Sequence, residues 1–129
     1  MILNIKGDVF DLSSPKIMGV LNVTPDSFYD GGVFSNEKKI LVQVEKMILD
    51  GADIIDVGGY SSKPGAKTRS LEEEEKRVIP IIKLINKTFN KVVISVDTFR
   101  SEIAEKSLDE GASIINDISG GDIDKNMYQ

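Results

Sequence analysis

Met18-Gly19-Val20-Leu21-Asn22-Val23-Thr24-Pro25-Asp26-Ser27-Phe28-Tyr29-Asp30-Gly31-Gly32 decides how the rest of the chain is read. The apolar run from Ile17 to Leu21 is too brief for a helix and right for a buried strand. It stops at Asn22. Thr24, placed before Pro25, is pushed out of helical space, and Asp26, Ser27, Asp30, Gly31 and Gly32 follow as turn formers. A buried strand thus delivers one amide, and then a polar loop, to a surface. That loop is longer than a strand-to-helix connection needs and carries two aromatics, the character of a binding loop.

Outward from this stretch, strand, loop and helix recur with a period of about thirty residues, the size of a βαβ unit. Ser35 is placed to cap a helix from about Asn36 to Leu49, with Ile40, Val44, Met47 and Ile48 on one face, and Gly51 stops it. Asp53 to Val57 is the next strand, and Gly58-Gly59 opens a loop from Tyr60 to Arg69. Ser70-Leu71-Glu72-Glu73 is a capping box, and the acidic run Glu72 to Glu75 reads as capping and solvation. That helix continues through Pro80, a candidate kink, with Val78, Ile81, Ile82 and Ile85 apolar. Val92 to Val96 is the third strand and ends at Asp97. Ser101 is placed to cap a helix to about Glu110, which Gly111 ends. Ser113 to Asn116 is the fourth strand, Asp117 to Gly121 a loop, and Asp122 to Gln129 reads as loop entering a helix. Upstream, Ile2 to Leu12 alternates around Lys6-Gly7-Asp8 as a β-hairpin.

Strands alternating with helices imply right-handed βαβ units and a parallel sheet covered on both faces. Two arrangements fit: a doubly wound sheet, or part of a (β/α)8 barrel.

The 129 residues suffice for one modest domain, and 40% apolar with 29% charged residues is a soluble globular composition. No apolar run reaches membrane-spanning length, and the N-terminus lacks the pattern of a signal peptide, so a membrane partner is not expected and cytoplasm is the default compartment. There is no cysteine and no histidine. Disulfides and thiolate metal sites are excluded, and the usual general base is missing. Any metal must be held by oxygen, which favours magnesium, calcium or manganese. A formal charge of -5 without a basic cluster argues against nucleic acid as a partner.

The polar residues gather at strand ends. Asn22, Asp56, Asp97 and the pair Asn116-Asp117 lie at or near the C-terminal ends of four successive strands, the end that carries the active site of a (β/α)8 barrel. Each taken alone has an ordinary explanation, since strand-end Asp and Asn often cap the next helix. Four together point to a site.

Leu21-Asn22-Val23-Thr24-Pro25-Asp26-Ser27-Phe28 resembles the signature of the dihydropteroate synthase family. Asp56-Val57-Gly58-Gly59, Ser95-Val96-Asp97-Thr98 and Ile115-Asn116-Asp117 repeat the resemblance. It implies a (β/α)8 TIM barrel, of which residues 1–129 supply an N-terminal hairpin and about the first four βα units, the N-terminal half of one pterin-binding domain. It also implies the reaction, in which 6-hydroxymethyl-7,8-dihydropterin diphosphate and p-aminobenzoate give 7,8-dihydropteroate and diphosphate in folate biosynthesis. Asn22 matches the asparagine that helps bind Mg²⁺, Asp97 the aspartate that contacts the pterin and would stabilise charge on it, and Asn116 the asparagine that reads the pterin edge. Asp56 lies in a matching segment, though a structural aspartate of the barrel interior is an equal reading.

Tyr60-Ser61-Ser62-Lys63-Pro64-Gly65 resembles the family's second loop. Ser62 stands where threonine is common, Lys63 where arginine is common, and Tyr60 where glutamate is frequent. A hydroxyl and a cation still suit an anion, but lysine lacks arginine's bidentate fork. Phe28 and Pro64 are matched to the wall of the p-aminobenzoate site, which sulfonamides also occupy. The chemistry asks no general base of histidine.

Since the family needs eight strands, this chain is expected to act poorly alone. Its two sheet edges lead us to expect a homodimer or aggregation. A methyltetrahydrofolate-type pterin-binding methyltransferase and a non-catalytic pterin-binding or assembly module are the alternatives.

Overall fold

The computed structural model describes residues 1–23, 33–59 and 70–129, with the backbone alone for 33–35. The elements run β1 (Ile2–Ile5), β2 (Asp8–Asp11), β3 (Met18–Asn22), α1 (Val33–Leu49), β4 (Ile54–Gly58), α2 (Leu71–Thr88), β5 (Val93–Asp97), α3 (Ser101–Asp109) and β6 (Ile114–Asn116). β1 and β2 form the expected hairpin, its turn made by Lys6 and Gly7 at φ of 53° and 89°. Lys6 Nζ donates to the Gly111 carbonyl and, at 3.4 Å, to Asn86 Oδ1, tying the hairpin to the ends of α2 and α3.

The four remaining strands are parallel and ordered β3-β4-β5-β6. That order decides between the two arrangements. A doubly wound sheet reverses direction at a switch point and carries helices on both faces. Here each strand pairs with the next in sequence, and the buried cluster lies on one face. Leu21, Ile55, Val57, Ile94 and Val96 meet Ile40 and Val44 of α1 and Val78, Ile81, Ile82 and Ile85 of α2. Each of these fully buried side chains contributes about 1.5–3 kcal/mol. The opposite face leaves Met18 and Val20 39% and 55% exposed. A one-way parallel sheet with its helices outside is the wall of a barrel, and the described residues form four successive strands of one with the three helices that connect them.

Several boundaries depart from the sequence reading. α1 begins at Val33, so Ser35 lies inside its first turn and is not its cap. Ser70 does cap α2, accepting from the Glu73 amide at 3.2 Å. α2 runs through Pro80 as one helix. Ser101 does not cap α3: it is the first helical residue, and Asp124 Oδ2 accepts its amide hydrogen at 2.7 Å from outside the helix. The segment 122–129 forms no helix; Met127 N bonds to Asp124 O and Gln129 N to Asn126 O, which are isolated turns. Its aspartate and asparagine side chains compete for backbone amides there, as Asp124 does for Asn126.

The acidic run at the start of α2 is also not wholly solvated. Glu72 and Glu73 are exposed and Glu75 is half-buried, pairing with Lys106 at 2.8 Å, but Glu74 is fully buried.

Candidate functional site

Parallel register places residues of neighbouring strands side by side on the same face. On the face away from the helices the strands build three layers. Met18, Ile54 and Val93 form the first, Val20, Asp56, Ser95 and Ile114 the second. The last layer, at the C-terminal ends, is Asn22, Gly58, Asp97 and Asn116. Three of the strand-end residues singled out from the sequence therefore stand in one continuous row, with a glycine between the first two.

The row is accessible where it must be. Asn22 and Asn116 are exposed, Asp97 is half-buried and Gly58 is buried. A β-carbon on Gly58 would meet Asp97 Cβ at 3.5 Å and Oδ2 at 3.6 Å. The missing side chain thus opens a slot directly beside the Asp97 carboxylate.

Asp56 belongs to the layer beneath and is 4% exposed. Its Oδ2 accepts a hydrogen bond from Asn116 Nδ2 at 3.1 Å, reaching up to the row. A carboxylate can only accept, so it fixes which end of the Asn116 amide points down. The Asn116 carbonyl oxygen and its second N–H remain for whatever enters the site. Asp56 Oδ1 and Ser95 Oγ, buried neighbours in register, have no hydrogen-bond partner among the described residues. Asp56 is thus a barrel-interior carboxylate whose one bonded oxygen orients a row residue.

Asp117 does not join the row. Partial burial alone would raise its pKa, but hydrogen bonds from the Ser119 hydroxyl and amide and the Gly121 amide outweigh that and hold it below the ordinary value. It shapes the turn after β6. Phe28, Ser62, Lys63 and Pro64 lie outside the described residues.

Sequence reasoning missed Glu74 and Thr98. Thr98 Oγ1 donates to Glu74 Oε1 at 2.6 Å, and Arg100 pairs with the other carboxylate oxygen. The signal was present. Glu74 lies one helical turn before Val78 and continues the stripe of Val78, Ile81, Ile82 and Ile85, so the 3.6-residue period puts it on the buried face.

The family model described as pterin binding enzyme matches residues 18–129. A folic acid synthesis protein of Pneumocystis carinii is 54% identical over 112 residues, covering 87% of this chain and 15% of that protein. A dihydropteroate synthase of Streptococcus pyogenes serotype M1 is 49% identical over 112 residues, covering 87% of this chain and 42% of its own length. The solved dihydropteroate synthase of Xanthomonas albilineans with 4-aminobenzoic acid superposes with a TM-score of 0.83 at 37% identity, over 94% of this chain and 45% of that one. The chain thus spans less than half the length of these relatives. With its match running from the first strand of the parallel sheet to the last residue, the chain belongs to the pterin-binding enzyme family.

Proposed function

We propose that this chain forms the pterin-reading part of a dihydropteroate synthase, joining 6-hydroxymethyl-7,8-dihydropterin diphosphate to p-aminobenzoate. The observation that carries the reading is the row Asn22, Gly58, Asp97 and Asn116 at the mouth of the sheet. A pterin presents paired donors and acceptors along one edge. The Asn116 amide, held by Asp56, offers a complementary acceptor and donor, and Asp97 offers a carboxylate beside the Gly58 slot.

The reaction forms a bond from the amine nitrogen to the pterin methylene carbon as the C–O bond to diphosphate breaks. The amine proton passes to solvent. The Asp97 carboxylate stabilises positive charge spread over the pterin as that bond breaks. Phe28 and Pro64 wall the p-aminobenzoate, which sulfonamides mimic, and Ser62 and Lys63 meet an anionic group.

The residues fit a hard cation as a bridge and not as a protein cage. Among the described residues no group of three His, Cys, Asp or Glu could hold a metal. Asn22 would hold Mg²⁺ through one neutral oxygen at an exposed strand end. The chemistry a magnesium ion would supply there is neutralisation of charge on the leaving diphosphate.

β3 and β6 pair on one side only among the described residues, and Met18 and Val20 are uncovered. We assign a homodimer, which light scattering over a dilution series checks. A cytoplasmic location is part of this reading; no described helix is long and apolar enough to cross a membrane.

Calorimetric titration with 6-hydroxymethylpterin tests the reading. Binding that Asp97→Ala abolishes is expected, with dihydropteroate formed slowly from the two substrates. Equal affinity in the parent and Asp97→Ala chains overturns it.

A further inference from the structure

We propose that Glu74 is a positioning residue, which holds Thr98, and through it Asp97 and Asn116, in the geometry that receives the pterin. The inference rests on the pterin-site reading above and deepens it.

Glu74 sits in the first turn of α2, its amide bonded to the Ser70 carbonyl at 3.0 Å, and its side chain is wholly buried. A buried carboxylate carries a desolvation cost that an exposed one does not. Glu72 and Glu73, in the same turn, stay in water. Capping and solubility therefore do not account for Glu74. A residue needed only to fill space would be apolar, as Val78 is one turn on.

What the carboxylate does is hold one short turn. Thr98 follows Asp97 directly. Its hydroxyl donates to Glu74 and accepts from the Arg100 amide at 3.2 Å, so both of its hydrogen-bonding capacities are used. Its own amide donates to the Asn116 carbonyl at 3.3 Å. Thr98 is thus bonded to the residue on one side of the row while being covalently joined to the residue on the other. The second Glu74 oxygen pairs with Arg100, whose guanidinium lies 4.7 Å from the centre of the Phe99 ring. Each contact limits the freedom of the others, as in a connected polar network.

α2 can come this close because of Gly59. A β-carbon there would lie 2.7 Å from Val78 Cγ2 and 3.4 Å from Glu74 Cγ. The carboxylate therefore holds the turn after β5, the Thr98 amide ties that turn to the end of β6, and Gly59 lets α2 lie against the end of β4. These are three of the four strand ends that make the row.

The test uses Glu74→Gln, Glu74→Leu, Thr98→Val and Thr98→Ser, with Ile48→Ala as a destabilised control at the far end of α1. Two readouts are taken on the full chain: amide hydrogen exchange at Thr98, Phe99 and Arg100 by NMR, and affinity for 6-hydroxymethylpterin by calorimetry. Glu74→Leu and Thr98→Val should speed exchange in that turn and weaken the pterin by about tenfold, the loss of one hydrogen bond to a charged group. Exchange in α2 from Val78 to Ile85 should stay as in the parent. Glu74→Gln and Thr98→Ser, which keep the Thr98 hydrogen bond, should restore both readouts, and Ile48→Ala should leave affinity unchanged. If Glu74→Leu fails to fold, Thr98→Val carries the same comparison. Unaltered exchange in the turn, or an affinity loss that Ile48→Ala reproduces, overturns the proposal. A parent chain that binds no pterin overturns the proposed function instead, and exchange at Thr98 to Arg100 still decides whether Glu74 sets the turn.

Discussion

Gly58 and Asp97 stand side by side in register on neighbouring strands, and the β-carbon that Gly58 lacks would sit 3.6 Å from Asp97 Oδ2. That distance is ordinary contact, so a methyl group fits the protein but occupies the space a ligand needs. Gly58→Ala should leave stability unchanged or raise it by about 0.5–1 kcal/mol, since a strand glycine is entropically costly. It should lower pterin affinity by about tenfold or more, one lost close contact to a charged group. Gly59→Ala is the contrast. Its methyl would meet Val78 Cγ2 at 2.7 Å in the buried core and should cost roughly 1–3 kcal/mol. Urea denaturation beside calorimetry separates the two.

Asp56 carries a second expectation. One of its oxygens bonds only to an exposed amide and the other has no partner among the described residues, so its burial is weakly compensated. Asp56→Ala should therefore cost no more than about 1 kcal/mol of stability. It should weaken pterin binding, because Asn116 loses the acceptor that orients it. A loss of stability with unchanged affinity would make Asp56 a structural residue.

Asn22 is exposed at the end of β3. Asn22→Ala should leave the melting temperature and the affinity for a pterin without diphosphate nearly unchanged. It should weaken magnesium-dependent binding of the pterin diphosphate. Equal loss for both ligands would show a strand-end cap in place of a metal ligand.

Acid should loosen the turn after β6. The folded-state pKa of Asp117 lies below its ordinary value of 3.8. Its contribution is therefore complete above that value and is lost as pH falls through the lowered folded value. The urea midpoint should drop below about pH 4, where carboxylates of ordinary pKa take up protons, and it should drop less in Asp117→Asn. An identical acid slope in both chains would remove Asp117 as a cause.

Most of the fold was legible because it is written in short periods. Four apolar runs and three amphipathic segments gave the strands and helices, and Asn22, Asp97 and Asn116 were visible as polar residues ending apolar runs. Register was not legible: that Gly58 completes the row depends on how strands slide against each other. Caps were read wrongly where a distant residue supplied them, as Asp124 does for α3. Glu74 was hidden by its neighbours, since four glutamates in a row look like one solvated feature until the helical period separates them.

The sheet order β3-β4-β5-β6 has a consequence for how the chain is made. Among the four described strands, each later one pairs with the strand synthesised just before it. The sheet can be laid down in the order of translation, while the hairpin's Lys6 waits for Gly111. Asn22 and Gly58 meet first, Asp97 joins them, and Asn116 arrives last. Until β6 docks, the Thr98 amide has no Asn116 carbonyl to meet, and the nascent mouth is open on that side.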